Sequence, residues 1–127
     1  MLIHVTQKLA RLLGEKNLAE HPPIPDSKAD WHATAVETRA GVLIVVMHTQ
    51  TLYAVIVLAA RVEDRISFLM ATMEAIREDF TQRNLVDAIS RVVSPIDQTI
   101  LAKATDRSAL ANLNYAASEI KRLLANT

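Results

Sequence analysis

Two apolar runs constrain this chain more than anything else in it. Val42-Leu43-Ile44-Val45-Val46-Met47 and Leu52-Tyr53-Ala54-Val55-Ile56-Val57-Leu58 flank a short polar turn, Thr49-Gln50-Thr51. Both are rich in β-branched residues, and each is far shorter than the roughly 20 residues that span a bilayer. They read as the third and fourth strands of a sheet, joined as an antiparallel hairpin. Neither run alternates apolar with polar residues, so both are expected to need cover on two faces.

The remaining elements follow from local signals. Leu2–Val5 reads as a first strand. Thr6 is placed to cap a helix over residues 7–13, and Gly14 ends it. His21 to Ser27 contains Pro22, Pro23 and Pro25, which exclude a helix or a central strand, so 21–29 is expected to be a stiff surface loop. Trp31–Thr38 reads as the second strand, turned by Arg39-Ala40-Gly41. Ile66, Leu69, Met70, Met73, Ile76 and Phe80 recur at helical spacing. Asn84 is expected to begin a shorter helix with Asp87 as its capping acid, ended by Pro95. Asp97–Ala104 reads as a fifth strand. Asp106 is expected to cap a last helix whose inward stripe is Leu110, Leu113, Ala117, Ile120 and Leu124.

The order of elements predicts one α+β domain over residues 1–127, an antiparallel or mixed sheet of about five strands with a central apolar hairpin, packed against about four helices. Those helices are expected to cover one sheet face well and the other only in part. A second copy of the chain is the expected cover for the remainder, which makes a homodimer the default.

Charge and composition narrow the function. Fourteen basic residues balance fourteen acidic ones, so no general phosphate-neutralising surface for nucleic acid is expected. The chain has no cysteine, which removes disulfides, thiol nucleophiles and thiolate zinc frameworks, and fits a reducing cytoplasm. The N-terminal residues include His4, Gln7 and Lys8, which interrupt any secretory signal pattern, and no membrane association is expected.

Several segments in order, Thr6-Gln7-Lys8-Leu9, Asp30-Trp31-His32-Ala33, Thr51-Leu52, and the stretch from Asp106-Arg107-Ser108 to Asn112-Leu113-Asn114, resemble a bacterial family, domain of unknown function 6933. The chain departs from that pattern at His48, at Ala111-Asn112 and at Tyr115. The resemblance implies an intracellular bacterial protein and carries no activity.

Four histidines, His4, His21, His32 and His48, are the only imidazoles. None has the H-x-x-x-H or H-x-H spacing that places two ligands on one face, so no metal and no cofactor is expected. Arg107, Ser108, Asn112 and Asn114 cluster at the start of the last helix, and Thr6 and Lys8 at the start of the first. If the two starts met, they would form an anion-binding corner. Trp31 and Tyr53 are the aromatic candidates for an interface.

These readings favour an interaction or regulatory module acting as a homo-oligomer, with a possible protein partner, over an enzyme. One alternative is a small phosphodiester hydrolase or toxin-like nuclease with Arg107 and Lys8 on phosphate and His48 or His32 as acid–base. The other is an anion or small-ligand binding protein using the same corner.

Overall fold

The computed structural model describes residues 1–21 and 29–125. Its strands are β1 (Leu2–Val5), β2 (Asp30–Thr38), β3 (Gly41–His48), β4 (Ala54–Leu58) and β5 (Ile100–Lys103). Its α-helices are α1 (Gln7–Leu12), α2 (Arg65–Gln82), α3 (Ile89–Val92) and α4 (Arg107–Leu124). The sheet order is β4-β3-β2-β1-β5. β2, β3 and β4 form an antiparallel meander, while β1 runs parallel to both β2 and β5. The sheet is therefore mixed and the fold is α+β. Most of the proline-rich connection expected over 21–29 lies outside the described residues.

The pleat sorts the core into two layers. Ile3, Val5, Trp31, Ala33, Ala35, Ile44, Val46, Val55, Val57 and Leu101 share one face and pack on Leu9 and Leu13 after β1 and on Phe68, Leu69, Ile76 and Phe80 of α2. The opposite face belongs to α4. Leu113 is fully buried there against Val36, Val45 and Met47, with Ala117 and Ile120 completing the contact. The helices are thus divided between the two faces.

This division meets the demand of β3, which is buried from Leu43 to His48. It does not meet the demand of β4. That strand alternates, with Val55 and Val57 buried and Ala54, Ile56 and Leu58 exposed on the α4 side. The hairpin runs from the sheet interior to its edge, and α4 does not reach the last strand.

Helix ends follow their caps. Thr6 Oγ1 accepts from Leu9 N–H at 3.4 Å, and Gly14 takes φ 72° just beyond α1, where the left-handed region favours glycine. Asp64 and Ser67 form a reciprocal capping box at α2. Arg65 then pairs both oxygens of Glu15, at 2.7 and 2.9 Å, tying the start of α2 to the chain after α1. Asp106 Oδ1 accepts from Ala109 N–H at 2.9 Å to open α4.

Two sequence expectations are corrected. Asn84 ends α2 rather than beginning a helix. It sits at φ 58°, Leu85 N–H donates to Phe80 C=O at 2.8 Å, and Asn84 N–H donates to Thr81 C=O at 3.1 Å. This is a Schellman closure, and asparagine serves it because it tolerates the left-handed region. α3 accordingly starts later and without a side-chain cap, so Asp87 is not its capping acid. The buried stripe of α2 is Phe68, Leu69, Thr72, Met73, Ile76 and Phe80. Ile66 and Met70, expected inward, are more than half exposed and line an open groove with Pro95 and Ile96.

Candidate functional site

β2 is the middle strand of the sheet, and one of its faces is polar. Asp30, His32 and Thr34 occur at every second residue, point to the α4 side and are all buried. On the neighbouring strand His4 pairs in register with His32. A run of polar side chains in the interior costs free energy unless each finds a partner, so the contacts of this strip are informative.

Its two ends are closed by hydroxyls. Thr6 Oγ1 and Thr34 Oγ1 share a hydrogen bond of 2.9 Å at the C-terminal end of β1. At the other end, Thr49 Oγ1 stands 2.9 Å from His32 Nδ1 and donates to Asp30 Oδ1 at 3.4 Å. Because the threonine proton goes to the carboxylate, its oxygen accepts from His32 Nδ1–H. That choice of tautomer leaves the lone pair of His32 on Nε2.

The middle of the strip is less well satisfied. The rings of His4 and His32 stack with centroids 4.4 Å apart and planes 17° from parallel. His4 Nε2 lies 2.9 Å from Asp30 Oδ1, a close polar contact that is not aligned as a hydrogen bond. Neither His4 Nε2 nor His32 Nε2 has a hydrogen-bond partner among the described residues. Leaving the lone pair of His32 Nε2 unmet in the interior costs about 1–3 kcal/mol. Burial above all, and then the neighbouring His4, pull the pKa of His32 down to about 4 against the opposing pull of Asp30 and Asp106. His32 is therefore neutral near pH 7.

The residues expected from sequence are distributed as follows. His48 is in register with Trp31 and so lies on the face opposite His32. It packs edge-on against the Trp31 ring at 5.0 Å, with its Nδ1 2.8 Å from Thr51 Oγ1. His32 and His48 do not meet. Lys8 and Asn114 do come together, in a cleft of about 300 Å³ that Thr34, Glu37, Ser118 and Lys121 also line. Thr6 adjoins it through Thr34, and Glu37 lies 4.0 Å from Lys8. Arg107, Ser108 and Asn112 stand exposed on the early turns of α4, outside the lining of that cleft. The expected corner is split, because Asn114 lies two turns along α4 from Arg107.

Trp31, an expected interface residue, is corrected. It has no exposed surface, and its Nε1–H donates to Val92 C=O at 2.8 Å, so it anchors α3 to the core. Tyr53 is partly buried against Phe80 and donates to Asp79 Oδ2 at 2.6 Å. Asp30 was not singled out from sequence as a site residue, and His4 was weighed only as one of the four histidines. The Asp30-His32-Thr34 alternation was a usable signal, whereas the pairing with His4 depends on the sheet register.

A mixed sheet carrying helices on both faces and a buried polar strip on its middle strand defines a small α+β domain without a recognisable nucleophile or phosphate-binding loop among its described residues. The chain belongs to the family described as Domain of unknown function (DUF6933), whose model matches residues 2–127. No curated protein and no solved structure matches it. Among the described residues, no helix is long and apolar enough to cross a membrane.

Proposed function

We propose that this chain is an interaction module that assembles with a second copy of itself through the outer edge of β4. The observation that carries the reading is the state of that edge. β4 pairs with β3 alone, and its sequence Ala-Val-Ile-Val-Leu has none of the charges or prolines that normally blunt an edge strand. Ile56 and Leu58 are each about half exposed beside it.

The surroundings favour a second copy as the occupant. Ile56, Val57 and Leu58 border a shallow hollow whose other wall is Ala71 and Ala75 of α2, with Arg61, Glu74 and Glu78 at its rim. An antiparallel two-fold pairing of β4 with β4 would extend the sheet across both copies and bring the two Ile56 side chains together. It would also set Arg61 of one copy near the acidic rim of the other, so the patch complements itself in charge as well as shape. The absence of cysteine supports placing this assembly in a reducing bacterial cytoplasm.

Light scattering coupled to size exclusion tests the proposal. The wild-type chain is expected to run as a dimer at micromolar concentration. Ile56→Lys should weaken self-association about tenfold or more while leaving the far-ultraviolet spectrum unchanged, since position 56 is outside the core. A wild-type monomer at 100 µM (roughly a hundredfold above a micromolar Kd) would overturn it.

A further inference from the structure

We propose that His4, Asp30 and His32 form a binding site for a divalent transition-metal ion of the zinc class. Each residue offers one ligand-type atom, and these atoms all lie within 4.8 Å of one another. All three side chains are buried, at 2 %, 4 % and 1 % exposure. The donor set is two imidazoles and a carboxylate, which suits zinc, cobalt or ferrous iron and disfavours the hard ions magnesium and calcium.

The second observation is independent of the clustering. Nε2 of His32 and Nε2 of His4 are buried and have no hydrogen-bond partner among the described residues. On His32 this nitrogen is the ligating one, because Nδ1–H is already engaged by Thr49. The Thr49 hydroxyl in turn donates to Asp30. A single outer residue thereby orients two ligands, an arrangement typical of metal sites.

The geometry also says what must change on loading. Each imidazole binds an ion in its own plane, and planes only 17° from parallel do not converge on a shared point close by. One ring has to turn. His4 is the less tethered of the two, since its contact with Asp30 is not an aligned hydrogen bond, whereas His32 is held through Nδ1.

The test uses the full chain, stripped with chelator and titrated with Co²⁺ and Zn²⁺. One ion per chain is expected, with a visible cobalt absorption band and with ring signals of His4 and His32, rather than His21 or His48, shifted in NMR spectra. Asp30→Asn should lower affinity at least about tenfold, and Thr49→Val by a smaller factor. His21→Asn should leave it unchanged. If the stripped wild-type protein stays folded and binds neither ion at 100 µM (roughly a hundredfold above micromolar affinity), the proposal fails and ordered water fills the gap. It fails equally if the shifted signals belong to His21 or His48. The wild-type spectra decide the matter even if a variant does not fold.

Discussion

His4 and His32 face each other across the β1–β2 pairing as stacked rings 4.4 Å apart, although they stand 28 positions apart in the chain. The stack is buried on the α4 side of the sheet, and Thr49, from the turn after β3, reaches back to hold it. Three separate parts of the chain therefore converge on one polar spot in an otherwise apolar interior.

That convergence makes Thr49 a sensitive position in the absence of any ion. Thr49→Val removes the acceptor of His32 Nδ1–H and the donor to Asp30 while keeping the shape of the side chain. A loss of about 1–2 kcal/mol is expected from urea unfolding, with Thr49→Ser close to wild type. Equal stability of the valine variant would mean that the hydroxyl does not hold the strip together.

Tyr53 and Asp79 link the end of the hairpin to α2, and their hydrogen bond sets an acid dependence. The Tyr53 hydroxyl, and then Arg83, hold the Asp79 carboxyl below its ordinary value. A carboxyl with a lowered folded-state pKa stabilises the fold above its unfolded pKa, and that contribution is lost as pH falls through the folded value. Tyr53→Phe should therefore be less stable than wild type at pH 7, and the gap should narrow below pH 4 (about the unperturbed carboxyl range). Chemical denaturation at both pH values checks this. A gap that stays constant would assign the effect to packing against Phe80 instead.

Leu52 closes the β3–β4 turn with φ 64°, a left-handed conformation that a branched side chain tolerates poorly. It is 47 % exposed, so little packing is lost on replacing it. Leu52→Asn should stabilise the chain by about 0.5–1 kcal/mol, seen as a higher midpoint in thermal unfolding. A lower midpoint would show that the exposed leucine makes contacts worth more than the backbone strain.

Local signals were enough for much of this molecule. The strand character of Leu2–Val5 and of the two apolar runs, the capping of α1 by Thr6 and of α4 by Asp106, and the inward stripe through Leu113 all depend on residues a few positions apart. Asn84 shows where such signals turn ambiguous, because asparagine satisfies backbone groups at either end of a helix. Only the presence of α2 immediately before it decides that it closes one.

The amino-acid sequence by itself determined that two strands in the middle of the chain would be apolar on both faces, and that Asp30, His32 and Thr34 would share one side of a strand. Only the tertiary structure decided which demands were met. α4 crosses to the face opposite α1 and α2 and covers β3, but β4 is left as an edge with Ile56 and Leu58 uncovered. The parallel β1–β2 register, which no local spacing encodes, sets His4 against His32. Periodicity fixes the direction of each side chain on its own element, whereas strand order and the choice of face depend on contacts between residues far apart in the chain.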